Sequence, residues 1–215
     1  MKRLYLIRHA QTAWNGENRI QGHSDLPLSP LGRRQAERLG ACFASRHLSG
    51  IFTSSLARSQ ETARAIAEGN GHGVSPVVEP ELVEMHLGAW EGLTPEEVDV
   101  QFQGAYQQWR VRPSSVVIPG AERHEAFHER VRRTLRQIAA RMEDGEYVVV
   151  SHGGVIASAL ADLLEAEYDA LIRRLRLDNA GVTALEFGTG LPHVLWINST
   201  VHLEPLAPVS VGNWF

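Results

Sequence analysis

The 215-residue sequence lacks several features that would place a protein in a particular class. Cys42 is its only cysteine, so no disulfide can form within the chain, and a reducing compartment such as the cytoplasm is expected. No apolar run approaches the roughly 20 residues that span a bilayer, which predicts no membrane partner. The formal net charge of −4 provides no overall basic field, so nucleic acid is not an expected partner either.

The length and composition predict one folded unit. A chain of 215 residues with 43% hydrophobic content can bury a single core, and no internal repeat or low-complexity linker divides it. We expect one catalytic domain over residues 1–204, followed by a C-terminal tail over 205–215. The sequence leaves the oligomeric state open, with a homodimer as one option.

Short apolar runs alternate with helical patterns along the chain, and this alternation predicts an α/β fold. Strands are expected at 4–7, 50–55, 74–78, 147–151, 182–187 and 193–198, with the last two forming a hairpin. Helix starts are expected at Ser29-Pro30, at Ser54 or Ser55 and at Thr94 with Glu97, and a longer helix is expected over 123–142. The fold class predicted is a three-layer α/β/α sandwich with a mostly parallel central sheet.

Charged and imidazole side chains follow three of these strands. Arg8 and His9 come directly after the first strand, Arg58 lies in the helical turn after the second, and His152 and Gly153 follow the strand at 147–151. In open α/β sheets, ligands bind beyond the carboxyl ends of the strands, where helix N-termini also gather. Guanidinium groups and exposed backbone N–H groups both match phosphate oxygens. The pattern therefore predicts a site for a small-molecule phosphate ester.

Four motifs carry a resemblance to a known family. They are LIRHAQTAWN from residue 6, SSLARSQETA from 54, LVEMHLGAWEG from 82 and VVVSHGG from 148. In this order and at these separations they resemble the histidine phosphatase superfamily, also called the phosphoglycerate mutase-like family. The resemblance covers roughly residues 3 to 200 and implies the phosphoglycerate mutase-like fold.

The resemblance also implies a reaction that needs no metal or other cofactor. His9 would be the nucleophile that takes the phosphoryl group, with Arg8, Arg58 and a protonated His152 around the phosphoryl oxygens. Glu84 would donate a proton to the leaving oxygen and later accept one from the attacking water. A neutral imidazole can attack near pH 7, because the ordinary pKa of histidine is about 6.5.

Further positions follow from the same resemblance. Asn15 and Gln21 match positions where related proteins place amides against the phosphate, and residues 85–120 form the variable segment that covers the substrate. Ala10 departs from the family, which usually has glycine there. Because alanine needs only an ordinary backbone conformation, we expect it to reduce the tolerance of the local geometry without abolishing function.

Two reactions and one non-catalytic role remain open at this point. Phosphoglycerate mutases resemble the chain, but Leu87 and Pro95 stand where those enzymes carry a substrate-binding tyrosine and lysine. Hydrolysis of phosphomonoesters is therefore favoured, with the mutase as the alternative. Arg110 and Arg112 could bind a substrate acid group or could simply end a helix. A binding module without turnover is the third possibility, and it would not need both a nucleophile and a proton donor.

The segment HEAFH at 124–128 matches the two-histidine signature of zinc proteases. Zinc sites of that kind need a third protein ligand, and no later histidine or glutamate stands out as one. The apolar stripe of the helix contains Phe127 and Val131, which places His124 and His128 at its edge. The sequence favours two half-exposed histidines on a surface helix.

Overall fold

The computed structural model describes residues 1–204, which form one six-stranded sheet and its flanking helices. The strands are β1 (Lys2–Arg8), β2 (Leu48–Thr53), β3 (Pro76–Val78), β4 (Gly145–Ser151), β5 (Val182–Phe187) and β6 (His193–Ser199). The helices are α1 (Ala13–Gly16), α2 (Pro30–Phe43), α3 (Ala57–Asn70), α4 (Pro95–Gln101), α5 (Ala105–Val111), α6 (His124–Arg141), α7 (Gly153–Leu163) and α8 (Tyr168–Ile172). The tail predicted at 205–215 lies outside the described residues.

The sheet has the strand order β3-β2-β4-β1-β5-β6. The first four strands in this order, β3, β2, β4 and β1, run parallel to one another. Strand β5 runs antiparallel to both of its neighbours, β1 and β6. Parallel register pairs Arg8 with Ser151 and Thr53 with Val150, so β1, β2 and β4 end at the same edge of the sheet. The residues that follow these strands are brought together for this reason.

The sheet is covered on both faces, which confirms the predicted three-layer sandwich. Alternation along β1 sends Leu4 and Leu6 to one face and Tyr5 and Ile7 to the other. The first face packs against α6 and α7, and the second packs against α2 and α3. Each face has its own buried apolar cluster, and this burial is the main stabilising contribution to the fold.

The segment between β3 and α6 has a third apolar cluster of its own. This cluster contains Trp90, Val98, Tyr106 and Ile118, together with Ile20 from the loop after β1. It includes residues of α4 and α5 and stands apart from the two clusters on the sheet. The 85–120 segment is therefore a small packed unit placed over the strand ends.

Two of the three predicted helix starts are confirmed. The Ser29 hydroxyl accepts a hydrogen bond from the backbone N–H of Gly32, and Thr94 and Glu97 form a reciprocal capping box. The start at Ser54 or Ser55 is wrong, because α3 begins at Ala57 with Leu56 at the N-cap and no side-chain cap. The buried Ser54 hydroxyl instead lies against His152.

Three smaller observations complete the fold. Within residues 1–204, none of the helices combines the length and the apolar character needed to cross a membrane. Cys42 is exposed and has a free thiol. The hairpin predicted near the end of the chain is present as β5 and β6.

Candidate active site

His9 lies directly beyond β1, at the edge of the sheet where the parallel strands end. Its backbone N–H donates to the Ser151 carbonyl at 2.8 Å, and its own carbonyl accepts from Asn179 Nδ2 at 3.0 Å. The ring Nδ1 lies 2.8 Å from the carbonyl oxygen of Ala10. A carbonyl can only accept, so this contact places the proton on Nδ1 and leaves Nε2 of the neutral ring with its lone pair.

The surroundings of His9 favour the neutral imidazole. Burial lowers the pKa of His9 well below 6.5, and the positive charges of Arg58 and Arg8 lower it further. The side chain is buried and lines the cavity described below. A buried, neutral imidazole with one unprotonated nitrogen is a nucleophile at physiological pH.

Ala10 fits the loop after β1 without strain. The residue is fully buried, its N–H donates to the Thr62 hydroxyl at 3.0 Å, and it is not among the residues with positive φ. Glycine's wider conformational range is therefore not needed at this position.

His152 lies at the start of α7, with its ring 5.2 Å from the His9 ring between centroids. Its Nε2 is 2.8 Å from the Ser54 hydroxyl and 3.4 Å from that of Ser59. Burial lowers the pKa of His152 well below 6.5, as do the nearby charges of Arg58, His9 and Arg8. Burial and these charges favour the neutral ring in the folded chain. A protonated His152 beside a bound phosphoryl group stays a prediction.

Two buried arginines supply the positive charge of the site. Arg8 donates from Nη1 to the Leu177 carbonyl, and Arg58 donates to the carbonyls of Ser24 at 2.7 Å and Gly22 at 2.8 Å. These partners are neutral, so they orient the guanidinium groups without cancelling their charge. Burial lowers the pKa of Arg58 to about 10, with Glu84 opposing this effect, and the group is still charged at pH 7.

Glu84 faces the arginines from the segment after β3. Its two carboxylate oxygens accept the backbone N–H groups of Met85 at 2.9 Å and Gly154 at 3.0 Å. A methyl group at Gly154 would lie 2.4 Å from Glu84 Oε1, so glycine is required there for the approach of the carboxylate. Gly153, one residue earlier, opens α7 and lines the same cavity.

Asn15 and Gln21 also line the cavity, each with its amide oxygen held by the loop. Asn15 Oδ1 accepts from the Thr12 backbone at 3.0 Å in a capping box, and Gln21 Oε1 accepts from the Thr12 hydroxyl at 3.0 Å. Because the oxygens are used in this way, the amide nitrogens are the atoms that can donate to a ligand.

One end of a cavity of about 90 Å³ is lined by polar residues and glycines, namely Arg8, His9, Asn15, Gln21, Gly22, Arg58, Glu84, Gly153 and Gly154. His152 contacts His9 but is not itself in this lining. The other end is mainly apolar and comes largely from the 85–120 segment. Its lining consists of Arg19, Ile20, Met85, Leu87, Trp90, Tyr106, Trp109, His124, Phe127 and Tyr168. We call these two parts the polar end and the aromatic end of the cavity.

Arg110 and Arg112 do not reach this cavity. Both are exposed at the end of α5, and the same helix instead presents Tyr106 and Trp109 to the cavity. Arg110 is one helical turn from Tyr106, but neither it nor Arg112 is among the residues that line the cavity. The binding of a substrate acid group by these arginines stays a prediction.

The histidines of HEAFH differ from each other. His124 is buried and lines the aromatic end, so the expectation of a half-exposed surface residue is wrong for it, whereas His128 is half-buried. Tyr168, at the start of α8, covers both rings, at 6.0 Å from His124 and 4.2 Å from His128 between centroids. Within residues 1–204, no group of three or more His, Cys, Asp or Glu side chains is arranged to hold a metal ion.

Several positioning residues escaped the sequence reasoning. Ser54, Ser59 and Thr62 hold His152 and the Ala10 backbone, and all three lie within the motif SSLARSQETA, where their spacing was a usable signal. Asn179 holds the His9 carbonyl from the loop before β5. No local pattern marks Asn179, because its role depends on how β5 is placed beside β1.

Comparisons with known proteins find one family and several relatives. The family model described as histidine phosphatase superfamily (branch 1) matches residues 4–200. The probable phosphoglycerate mutase GpmB of Yersinia enterocolitica is 33% identical over 87% of this chain and 86% of that protein. Phosphoserine phosphatase 1 of Hydrogenobacter thermophilus is 30% identical over 94% of this chain and 95% of that protein.

A solved structure extends the likeness to the whole fold. Bacillus stearothermophilus YhfR superposes with a TM-score of 0.88 at 31% identity and covers 95% of this chain and 100% of that chain. The relatives thus include proteins named as phosphatases and proteins named as mutases. Their names support an enzyme that acts on phosphate esters. They do not distinguish hydrolysis from mutase activity.

Proposed function

We propose that this chain, which belongs to branch 1 of the histidine phosphatase superfamily, hydrolyses phosphomonoesters of small metabolites through a phosphohistidine intermediate, without a metal ion. One observation carries the proposal. The lone pair of His9 Nε2 belongs to a buried, neutral ring in a cavity that Arg8, Arg58 and Glu84 also line. This combines a nucleophile, fixed positive charge and a proton donor at one point.

In the proposed mechanism the phosphoryl group binds at the polar end. Arg8 and Arg58 each retain a buried Nε–H with no hydrogen-bond partner among residues 1–204, and phosphate oxygens would accept from these groups. The amide nitrogens of Asn15 and Gln21 and the N-terminus of α7 at Gly153 add neutral donors. The dianion would also raise the pKa of His152, which lets that ring bind as a cation.

The chemical steps use His9 and Glu84. His9 Nε2 attacks phosphorus as the bond from phosphorus to the ester oxygen breaks, and protonated Glu84 gives its proton to that oxygen. Water then attacks the phosphohistidine, Glu84 takes a proton from it, and the P–N bond breaks. Inorganic phosphate leaves, and His9 and Glu84 return to their starting states. The charge on the phosphoryl group is matched throughout by the two arginines.

The residues at the aromatic end favour hydrolysis over mutase activity. Leu87 and Pro95 occupy the positions where phosphoglycerate mutases carry a tyrosine and a lysine, and neither can bind a carboxylate. Leu87 lines the cavity, and Pro95 is buried at the first position of α4. The likeness to the probable mutase of Yersinia enterocolitica keeps mutase activity as the second candidate.

Two assays on the same preparation distinguish these reactions. The first measures phosphate release from p-nitrophenyl phosphate in excess EDTA, and the second measures interconversion of 2- and 3-phosphoglycerate primed with 2,3-bisphosphoglycerate. We expect steady phosphate release and interconversion at no more than about one hundredth of that rate. Interconversion faster than hydrolysis would replace the proposal with the mutase, and hydrolysis that depends on added zinc would overturn the metal-free mechanism.

A further inference from the structure

The aromatic end of the cavity is a rigid apolar surface. Tyr106 and Trp109 stack at 5.8 Å with 23° between their ring planes, and Trp90 meets Trp109 edge-on at 6.4 Å. Ile20 and Leu87 complete this surface. Aromatic rings packed in this way present fixed flat faces, which favour a flat apolar ligand.

Among residues 1–204, the one cation in the lining of the aromatic end is Arg19, and its charge is already paired. The Arg19 guanidinium donates to the Gly92 carbonyl at 2.7 Å, to Glu97 at 3.0 Å and to Glu17 at 3.1 Å. Two carboxylates therefore already balance its charge. Arg8 and Arg58 belong to the polar end, where the phosphoryl group would bind. A carboxylate on the organic part of the substrate would lose its hydration at the aromatic end without gaining an ion pair.

His124 adds a buried imidazole to this surface, where the indole N–H groups of Trp90 and Trp109 also have no hydrogen-bond partner among residues 1–204. His124 is 6% exposed, and neither ring nitrogen makes a hydrogen bond of normal geometry among residues 1–204. Burial lowers the pKa of His124 below its usual 6.5, while Asp169, Glu125 and a contact with the Pro113 backbone oppose the effect. The ring is therefore neutral at pH 7 and offers one donor and one acceptor. A buried polar group without a partner destabilises a fold unless a ligand supplies the partner.

We propose that the substrate is a phosphomonoester whose organic part is flat, largely apolar and without a carboxylate, and that His124 binds one neutral polar group on it, such as a hydroxyl or a carbonyl. The inference rests on the proposed function, because it assumes that the phosphoryl group occupies the polar end. It makes His124 a specificity-determining residue, separate from the residues that transfer the phosphoryl group. Phosphorylated amino acids and phosphoglycerates would then be poor substrates.

The first part of the test compares esters by their kcat/KM values. The probes are 1-naphthyl phosphate, glycerol 2-phosphate, O-phosphoserine and 3-phosphoglycerate. We expect the naphthyl ester to exceed the two carboxylate-bearing esters by about a hundredfold or more, since a carboxylate buried at the aromatic end loses its hydration without gaining an ion pair. Glycerol 2-phosphate, which is small and uncharged outside the phosphate, should lie between them. A preference for either carboxylate-bearing ester would overturn the inference.

The second part of the test isolates His124. A set of naphthyl phosphates, each with one hydroxyl at a different ring position, is compared with the parent ester. We expect at least one isomer to be preferred by about tenfold, and His124→Leu to remove that preference, because one neutral hydrogen bond is lost. His128→Asn is the matched control one helical turn further on, since His128 contacts the Ser158 hydroxyl at 2.7 Å and does not line this cavity.

The outcomes separate this inference from the proposed function. A hydroxyl preference that survives His124→Leu, or is absent from the native protein, would overturn the role of His124. His124→Asn, which keeps a donor and an acceptor, should retain part of the preference and guards against misfolding of the leucine variant. If no ester forms a phosphoenzyme, the proposed function fails. If phosphoenzyme forms readily but carboxylate-bearing esters are preferred, only the present inference fails.

Discussion

The two ends of the cavity are built in different ways from different parts of the chain. The polar end is fixed by strand ends, because β1, β2 and β4 stop at one edge and the segments after them carry His9, Arg58 and Gly153. Its side chains are held by backbone carbonyls and buried hydroxyls. The aromatic end comes mainly from the 85–120 segment, which has an apolar cluster of its own.

This difference separates the chemistry from the choice of substrate. The polar end can keep its geometry while the 85–120 segment changes, because the two are held by different contacts. Substitutions at the polar end should lower turnover for every ester alike. Substitutions at the aromatic end should change the ratio between esters. The predictions below test this division, beginning with the largest expected effect.

Removal of the nucleophile should have the largest effect. We expect His9→Asn to lower kcat by about 10⁴-fold or more for every ester, because the covalent step has no other imidazole in line with phosphorus. Steady-state rates on naphthyl and glycerol phosphates measure this loss. His47→Asn, at an exposed site beside His72, is the control and should behave as the native protein. A loss confined to one ester would contradict the claim that the polar end carries the chemistry for every substrate.

Glu84→Gln should have the next largest effect. We expect a loss of about 10² to 10³-fold in kcat for alkyl esters, because general acid catalysis contributes most when the leaving oxygen is strongly basic. The loss should be much smaller for p-nitrophenyl phosphate, whose leaving group needs no proton. Equal losses for the two esters would remove the role of Glu84 as a proton donor.

A smaller and selective effect is expected at the aromatic end. Trp109→Leu should lower kcat/KM for 1-naphthyl phosphate by about tenfold, because one stacking face is lost, and should cost glycerol 2-phosphate less. Trp14→Leu is the matched control, since Trp14 lies against Gly92 and does not line the cavity. Equal losses for both esters would show that Trp109 supports the fold of the segment and does not select substrates.

The smallest expected effect is the dependence of the free energy of unfolding on pH. The pKa values of His9 and His152 are depressed in the folded chain, so below about pH 6.5 the unfolded chain binds protons that the folded chain excludes. The free energy of unfolding should therefore fall as the pH falls from 6.5 towards 5.5. Each histidine should contribute up to about 1.4 kcal/mol per pH unit.

Denaturant unfolding at several pH values measures this slope. The variant with His9→Asn and His152→Asn should show a shallower dependence than the native protein, and His47→Asn should not. An unchanged slope in the double variant would show that other groups cause the acid sensitivity. Bound inorganic phosphate should oppose the loss at low pH, because its charge favours protonated His152.

The polar end could be predicted from the sequence for a physical reason. A buried strand such as β1 or β4 is recognisable from its apolar residues, and parallel strands place the residues that follow them at one edge. His9, Arg8 and His152 were placed together on this basis, and Arg58 followed from its position early in the next helix. In the structure, Arg8 pairs with Ser151 across the parallel strands β1 and β4, so the residues that follow these strands lie together.

The aromatic end could not be predicted in the same way. The burial of His124 depends on Tyr168, which is distant in sequence and reaches the ring only through the packing of α8. Arg110 and Arg112 are predicted from their charge, but α5 contributes Tyr106 and Trp109 to the cavity lining and not these arginines. Ser54 was expected to cap a helix, but its hydroxyl is used by His152 from a different strand end. In each case a tertiary contact overrides the local pattern.

The central claim is that the phosphoryl group passes through His9, and rapid-quench trapping tests it most directly. The protein is mixed with 1-naphthyl phosphate in EDTA, stopped in alkaline denaturant within milliseconds and mapped by peptide mass spectrometry. The account predicts a phosphorylated peptide carrying the modification on His9, formed at least as fast as steady turnover and absent from His9→Asn. Turnover without any such intermediate, or a phosphorylated peptide that persists in His9→Asn, would contradict it.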